Sequence, residues 1–442
     1  MPKITSSYMG SNWIPKNIIK YLKQGTFLGN VGTMMGGNIF AQAITFFTAP
    51  VITRIYNPND FGAFAFVWAY VSVLSIIASM RYEYAIVIEK NQNTAVNVLT
   101  LCIAIAGIVS SILFLIIILA GQPLAALLNS KNYTNLFYLL PLAVFVSSAY
   151  NSLTFWYTRL KKFTTLAICR LTSTSVIAII KISLGFFWGS SALFLLWGNI
   201  FGISIIVVIL IIIFLKNNLS LLVANVSRSN LIHCGKKYKN LPKYHAWNGL
   251  LNSVSQNLPI FLLAHFFSPQ ILGFYGLSNM VLRRPMNLVS ESFSKVFLEK
   301  ASKEINNRKK LREIHVKTTI GLVGIAIVPY FIIGIFGEYI FSIVFGEKWG
   351  MAGFYAQLLA PWLFMGFINP PSTQILIAKQ NLKFIFYFNL ILTLFRIIAL
   401  LVTSSLYPHP WLAIFAFSAT GVLFNIYYIV FAFSQTRCVD DY

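Results

Sequence analysis

The sequence predicts an all-α integral membrane protein of about twelve transmembrane helices, arranged as two pseudo-symmetric six-helix bundles around a central cavity. Its 442 residues are 57% hydrophobic and only 10% charged, whereas roughly 25% of the residues of a soluble protein are charged. The apolar runs continue for about 20 residues without alternation, which favours membrane-spanning helices over a β-barrel. The mean hydropathy of +0.73 agrees with this class.

Twelve apolar runs divide the chain into two halves. They cover residues 28–52, 61–82, 96–120, 135–157, 166–187, 191–214, 246–267, 269–296, 316–337, 351–378, 384–406 and 411–434. The first six runs predict an N-terminal bundle at 28–215, and the last six predict a C-terminal bundle at 246–434. The predicted organisation is completed by a cytoplasmic N-terminal segment (1–27), a basic cytoplasmic linker (216–245) and a cytoplasmic tail (435–442).

Basic residues set the predicted orientation. The termini and the even-numbered connections hold 24 of the 34 Lys and Arg residues, and the odd-numbered connections hold three, Arg54, Lys131 and Lys348. Cytoplasmic connections of membrane proteins are enriched in Lys and Arg, so both termini are expected in the cytoplasm. The same bias explains the net charge of +23. We therefore expect membrane lipids, and not nucleic acid, as the partners of the basic connections.

Several function classes lack their usual residues in this sequence. The four cysteines are far apart and form no CxxC pair, and the five histidines form no HExxH motif, so no metal site is expected. The predicted outer connections are short, and the sequence offers no paired carboxylates of the kind used in sugar chemistry. An enzyme is therefore not expected.

The run at 269–296 is unusual because it carries four charged side chains, Arg283, Arg284, Glu291 and Lys295. Even on lenient insertion scales, one such charge near the bilayer centre has a free-energy cost of about 2.5–3.5 kcal/mol. On a helix Arg284, Glu291 and Lys295 share one stripe, which is expected to face a water-filled cavity. Two alternatives stay open: Arg284 and Glu291 form a structural ion pair, or the helix leaves the membrane before Lys295.

Two similar stretches indicate an internal repeat. Residues 58–64 (PNDFGAF) open the second run and residues 269–275 (PQILGFY) open the eighth. Both fit Pro-x-x-x-Gly-x-aromatic, and both stand at the same place in their half. Proline is well tolerated in the first turn of a helix, because its missing N–H has no partner there. The match supports two halves of parallel sense.

Leaving the ends of the connections aside, the other ionisable residues of the runs follow the same repeat. Arg81 and Glu83 lie at the end of run 2, Arg170 and Lys181 lie in run 5, and Arg396 lies in run 11. Together with run 8 they give seven basic residues and two acidic ones. Halves with facing polar surfaces are typical of a transporter. A cavity lined mainly by basic groups is expected to bind an anion, and the forked donors of arginine suit phosphate oxygens.

The same regions resemble a known family. Residues 49–62 (APVITRIYNPNDFG) and 79–88 (SMRYEYAIVI) are similar to the opening of the polysaccharide biosynthesis proteins that act as Wzx-type O-antigen flippases. The segment with Gly273, Arg284 and Pro285 resembles the matching part of the second half. The resemblance implies the multidrug/oligosaccharidyl-lipid/polysaccharide exporter fold. It also implies a flippase that moves an undecaprenyl-pyrophosphate-linked oligosaccharide from the cytoplasmic to the outer leaflet of a bacterial inner membrane.

The basic residues within the runs form the predicted substrate-binding set. They are Arg170, Lys181, Arg283, Arg284, Lys295 and Arg396. Arg284 and Arg170 are expected to hold the pyrophosphate, and Lys181 and Arg396 to add positive field. Arg81 with Glu83 is expected to form a cytoplasmic gate, and Glu291 to neutralise an arginine or bind a coupling proton.

The resemblance also implies further partners, a polysaccharide polymerase and a chain-length regulator. No cofactor is expected, and coupling to a proton or sodium gradient stays open. A drug exporter of the same fold is the alternative function. Such exporters often bind cations with acidic residues in their first half, whereas run 1 offers only uncharged polar residues, Asn30, Asn38, Gln42 and Thr45. A membrane glycan polymerase is less favoured.

Overall fold

The computed structural model describes residues 27–127, 134–304, 307–407 and 409–436 as a helical protein. The N-terminal half contains α1 (Phe27–Ile55), α2 (Pro58–Ser79), α3 (Glu83–Ile88), α4 (Gln92–Leu127), α5 (Thr134–Phe137), α6 (Leu140–Arg159), α7 (Phe163–Trp188), α8 (Ala192–Asn225) and α9 (Arg228–Lys237). After a π-helical turn at Leu241–Ala246, the C-terminal half contains α10 (Trp247–Phe266), α11 (Pro269–Lys303), α12 (Arg308–Phe345), α13 (Gly350–Ile368), α14 (Pro370–Ala378), α15 (Leu382–Leu406) and α16 (Pro410–Ser434).

Each of the twelve apolar runs lies in a helix or in a pair of consecutive helices. Within the described ranges, nine helical segments are long and apolar enough to cross a membrane. The remaining three runs correspond to α1, α10 and α11. Polar side chains lower the hydropathy of α10, and charged ones lower that of α11. The predicted all-α membrane fold is confirmed.

Several helices begin or end outside the predicted runs, and one run is divided between two helices. The run at 351–378 is two helices, because α13 ends at Ile368 and Pro370 begins α14. The helix α8 continues to Asn225, since no proline or glycine interrupts it after the apolar run. The linker 216–245 is therefore largely helical, and the side chain of Ser227 caps α9 by accepting a hydrogen bond from the backbone N–H of Asn230.

The two copies of the repeated motif pack against each other. Both prolines begin a helix, as predicted: Pro58 begins α2 and Pro269 begins α11. A Cβ atom on Gly62 would lie 1.8 Å from the carbonyl oxygen of Pro269, and one on Gly273 would lie 2.0 Å from that of Pro58. Only glycine permits this backbone contact. We call this end of the bundle the repeat end, and the opposite end, where α3 and α9 lie, the linker end.

Side chains strengthen the contact between the halves at the repeat end. The indole Nε1 of Trp349 donates to the carbonyl of Thr53 at 2.8 Å. Lys348 Nζ donates to the carbonyl of Arg54 at 3.1 Å, and Arg54 Nη2 donates to the carbonyl of Ile343 at 3.3 Å. These bonds join the end of α1 to the α12–α13 corner, so the halves are held together at the repeat end.

Candidate functional site

A cavity of about 770 Å³ lies within the C-terminal half. Its walls come mainly from α10 and α15, with side chains from α11, α13 and α16. The N-terminal half contributes Arg81 and Tyr84 at the linker end. We call this space the C-half cavity. Its arginines are Arg81, Arg283 and Arg396, and its described lining residues include no aspartate or glutamate.

Arg396 is the most enclosed cation of the C-half cavity. It is only 7% exposed, and its Cζ lies 4.7 Å from the ring centre of Trp362 and 4.3 Å from that of Phe417. Gly421 makes room for this stack, because a Cβ atom there would lie 2.6 Å from Arg396 Nη2. The aromatic faces attract the guanidinium. Its Nε and Nη2 are buried and nevertheless have no hydrogen-bond partner among the described residues.

Arg81 reaches from the N-terminal half into the C-half cavity. It follows α2 in a left-handed conformation (φ 60), and its Nε would lie 2.9 Å from a Cβ atom on Gly249 of α10. Its Nη1 lies 3.6 Å from Oε1 of the buried Glu83. Next to it, the rings of Tyr84 and His245 pack with centres 5.6 Å apart. Arg81 therefore lies where the halves meet at the linker end, and its gating role stays a prediction.

A second cavity, of about 380 Å³, lies within the N-terminal half. We call it the N-half cavity; α1 and α7 form most of its wall, and Met280 of α11 closes it from the other half. Arg170 is exposed on this wall. Lys181 is buried, with its Nζ 4.6 Å from the ring centre of Phe64. A Cβ atom on Gly198 would lie 2.5 Å from Lys181 Cγ, so this glycine makes room for the lysine.

The two cavities occupy equivalent places in the repeat. Each is lined mainly by the first and fifth membrane helices of its half, α1 with α7 and α10 with α15. In each half a basic residue of the fifth helix rests on a glycine of the sixth, Lys181 on Gly198 and Arg396 on Gly421. The internal repeat therefore extends from the helix frame to the placement of the buried cations.

The described basic residues line two cavities, whereas the sequence predicted that they would line one central cavity. Arg81, Arg283 and Arg396 line the C-half cavity, and Arg170 and Lys181 line the N-half cavity. The reason is that α2 and α11 pack tightly together, so each half encloses its own space. Some predicted site side chains lie outside the described part of the chain, namely those of Arg284, Glu291 and Lys295.

Sequence reasoning missed a set of carboxamides in the C-half cavity. Asn248, Asn252 and Gln256 line it from α10, and Asn389 lines it from α15. The first three are spaced i, i+4 and i+8, which places them on one helix face. That spacing within a membrane-length run was the available signal. The predicted site contained charged residues only and therefore did not include these carboxamides.

The described residues offer no metal site. No group of three His, Cys, Asp or Glu side chains among them is placed to hold an ion. The described cysteines, Cys102, Cys169 and Cys234, are buried and free. The chemistry on which the two cavities can draw is therefore that of cations, carboxamides, hydroxyls and aromatic rings.

A family model described as "Polysaccharide biosynthesis protein" matches residues 51–352. The chain belongs to this family. The match spans both copies of the repeated motif and the junction between the halves, and it confirms the resemblance seen in the sequence. No curated protein matches the sequence.

Solved structures of transport proteins share the fold. The lipid II flippase MurJ, in an inward closed conformation, has a TM-score of 0.65 and 15% identity, covering 89% of this chain and 87% of that one. An inward-facing multidrug resistance MATE family transporter of the MOP superfamily has a TM-score of 0.61 and 11% identity, covering 91% and 94%. The MATE multidrug transporter DinF-BH has a TM-score of 0.54 and 15% identity, covering 97% and 98%. The chain is thus a multi-pass membrane protein with the fold of these transporters.

Proposed function

We propose that the protein is a flippase for an undecaprenyl-pyrophosphate-linked oligosaccharide, the repeat unit of O-antigen or a related surface polysaccharide. It moves this lipid from the cytoplasmic to the outer leaflet of the bacterial inner membrane by alternating access. The observation that carries the proposal is the buried guanidinium of Arg396, whose Nε and Nη2 have no described partner and which shares the C-half cavity with Arg283 and Arg81. Family membership and the shared fold agree with it.

The chemistry of the headgroup explains why such a cation is needed. A pyrophosphate that leaves the membrane surface loses the water around its charges, and this loss is costly unless charge-assisted hydrogen bonds replace it. Arg396 is already desolvated and held between Trp362 and Phe417, so little further ordering is needed when an anion arrives. Arg283 and Arg81 add positive charge on the same cavity.

Closure at the repeat end agrees with one state of an alternating-access cycle. The contact of Gly62 with Gly273, together with the bonds of Lys348 and Trp349, joins the halves there. The C-half cavity reaches Arg81 at the linker end, which the basic connections assign to the cytoplasm. In this state the headgroup enters from the cytoplasm, while the polyprenyl tail stays in lipid. Opening of the repeat end then releases the headgroup outward.

The other predicted residues have supporting roles. Arg170 and Lys181 supply positive field from the N-half cavity. Arg284 and Lys295 add positive charge, and Glu291 neutralises an arginine in the empty state or binds a coupling proton. Arg81 with Glu83 gates the linker end. The polymerase and the chain-length regulator act on the flipped lipid as partners.

A drug exporter of the same fold is less well supported. The described lining residues of both cavities include basic groups and no carboxylate, and a cationic drug is repelled by such a surface. Transport of a cationic dye by the purified protein in vesicles, at the rate of a known exporter, would favour this alternative.

The test of the proposal replaces Arg396 with alanine. Surface polysaccharide should fall to background, and affinity of the purified protein for undecaprenyl pyrophosphate should fall about tenfold or more. Hydrogen bonds to charged groups contribute about 1.5–3 kcal/mol each, and tenfold corresponds to about 1.4 kcal/mol. Arg396→Lys should be intermediate, because it keeps the charge and loses the planar fork.

The control is Lys383→Ala, which removes an exposed cation near the start of the same helix α15. Membrane abundance is measured for all variants, and it should stay at the wild-type level. Normal surface polysaccharide in an Arg396→Ala strain with normal abundance would show that the guanidinium does not hold the headgroup.

A further inference from the structure

Two helices that face each other across the C-half cavity both present uncharged polar side chains to it. On α10 these are Asn248, Asn252 and Gln256, which extend over about 12 Å of helix. On α15 the main one is Asn389, two turns before Arg396. The carboxamides therefore form a continuous polar surface that leads toward the buried arginine.

These carboxamides are accessible within the cavity. Asn248, Asn252, Gln256 and Asn389 are all exposed side chains that line it. Gln256 Nε2 donates to Asn252 Oδ1 at 3.1 Å, which orients both amides and still leaves donors and acceptors on each. A carboxamide in contact with hydrocarbon loses several kcal/mol of hydration. Four of them lining one cavity therefore indicate a surface built for a polar ligand.

The two helices are also held in register. Ser255 of α10 and Thr393 of α15 both line the cavity, and their hydroxyl groups share a hydrogen bond of 2.9 Å. Thr393 lies one turn from Asn389 and less than one turn from Arg396. The bond fixes the separation of the two carboxamide surfaces, so a ligand between them meets both at once.

We propose that this surface is the sugar subsite of the flippase, and that it binds the neutral sugar next to the pyrophosphate through its hydroxyl or acetamido groups. The inference depends on the proposed function, because Arg396 and Arg283 place the pyrophosphate beside it. Carboxamides offer both a donor and an acceptor, which matches hydroxyl and acetamido groups and does not select for charge. The aromatic ring of Phe386, 48% exposed in the same cavity, supplies an apolar face for the sugar ring.

The N-half cavity has a different surface. Gln42 and Asn199 are the only carboxamides among its described lining residues, which also include Trp68, Tyr150 and Arg170. It has about half the volume of the C-half cavity, and two described carboxamides line it against four in the C-half cavity. The sugar subsite is therefore assigned to the C-terminal half alone.

The experiment compares two lipids on the purified full chain by native mass spectrometry. One is undecaprenyl pyrophosphate, and the other is undecaprenyl-pyrophosphoryl-N-acetylglucosamine. The wild type should bind the sugar-bearing lipid about tenfold more tightly, since each of two or more hydrogen bonds contributes a few-fold. The double variant Asn252→Ala with Asn389→Ala should lose this preference and keep its affinity for undecaprenyl pyrophosphate.

The matched control is Asn217→Ala, which removes an exposed carboxamide of α8 that lines neither cavity; it should keep the preference. The subsite is refuted if the double variant keeps the wild-type ratio, or if the wild type binds the two lipids equally. Arg396→Ala should weaken both lipids by the same factor. Failure of the wild type to bind either lipid overturns the proposed function itself, and the subsite with it.

Discussion

The N-half and C-half cavities have the same frame and different chemistry. Each lies between the first and fifth membrane helices of its half, and in each a basic side chain of the fifth helix rests on a glycine of the sixth. In the N-half cavity that cation is Lys181, a flexible ammonium beside one ring, Phe64. In the C-half cavity it is Arg396, a planar fork held between two rings.

The difference indicates how a repeated fold acquires one directed binding site. Packing requirements are the same in both halves, so the glycine contacts recur. The binding requirements of the two halves differ, so the cations, aromatic rings and carboxamides differ between the two cavities. A guanidinium fits two phosphate oxygens at once, whereas an ammonium acts as a point charge. We therefore expect the C-half cavity to hold the headgroup and the N-half cavity to add long-range field.

The largest effect should come from disrupting the glycine contact between α2 and α11. Gly62→Ala and Gly273→Ala should each destabilise the protein by about 3 kcal/mol or more, above the usual range for overpacking, because the new methyl group meets a backbone carbonyl oxygen at 1.8 or 2.0 Å. The two variants should behave alike, since the contact is reciprocal. Thermal unfolding in detergent and abundance in the membrane measure the loss.

Gly276→Ala is the matched control for this pair. It adds the same methyl group less than one turn beyond Gly273, where the nearest atom is Ala65 Cβ at 3.4 Å, an ordinary contact distance. Its unfolding midpoint should stay near that of the wild type. A Gly273→Ala protein that is as stable as Gly276→Ala would show that the halves can separate at the repeat end without loss.

Much of this frame could be predicted from the sequence. Each predicted apolar run corresponds to a described helix or pair of helices, because the bilayer imposes a similar length on all membrane helices. The proline of each repeated motif marked the start of a helix, since its missing N–H fits only the first turn. The break between α13 and α14 was not predicted, although Asn369-Pro370-Pro371 contains the residues that make one.

The candidate site was harder to predict, for physical reasons. A helix pattern gives the face on which Arg170 or Arg396 lies, but not which helices stand opposite. The assignment of basic groups to separate cavities depends on the packing of α2 on α11, a long-range contact. Arg81 enters the C-half cavity only because the chain turns through a left-handed conformation after α2. No local pattern around Arg81 contains that information.

A second pair of substitutions tests whether the two cavities contribute differently to headgroup binding. In Gly421→Ala the new methyl group would lie 2.4 Å from Trp362 Cδ1, so the rigid indole and the guanidinium of Arg396 cannot both stay in place. In Gly198→Ala the group in the way is the alkyl chain of Lys181, which can rotate. Affinity for undecaprenyl pyrophosphate should fall about tenfold in Gly421→Ala, since a desolvated cation–π contact is worth about 2 kcal/mol.

Gly198→Ala should change this affinity about threefold or less, because the lysine keeps its charge in the cavity when its stem moves. Gly334→Ala serves as a control for both, since nothing lies within 4 Å of the added group. Equal losses in Gly198→Ala and Gly421→Ala would mean that the two cavities contribute alike to headgroup binding, and the assignment to the C-terminal half would fail.

The smallest effect concerns the ion pairs and hydrogen bonds of each half at the linker end. In the N-terminal half Glu89 accepts hydrogen bonds of 2.5 Å from both Lys237 Nζ and the Tyr238 hydroxyl, and these donors lower the pKa of Glu89 to about 2. In the C-terminal half, Glu304 pairs with Lys310 Nζ at 2.5 Å after α11, and Lys379 donates a hydrogen bond to the carbonyl of Gln435. Among the described residues, a buried carboxylate with both a lysine and a tyrosine donor is thus found at Glu89, whereas the pair of Glu304 is more exposed.

Glu89→Gln should lower the unfolding midpoint at pH 7 by less than Gly62→Ala or Gly273→Ala. Because the folded pKa lies below the ordinary value near 4.3, the contribution of Glu89 is complete above that value and is lost as the pH falls toward 2. The difference between wild type and variant should thus be the same at pH 7 and pH 5 and smaller at pH 3. Glu313→Gln, which removes an exposed pair with Lys317 on α12, should have no measurable effect. A difference that persists at pH 3 would assign the role of Glu89 to packing instead of charge.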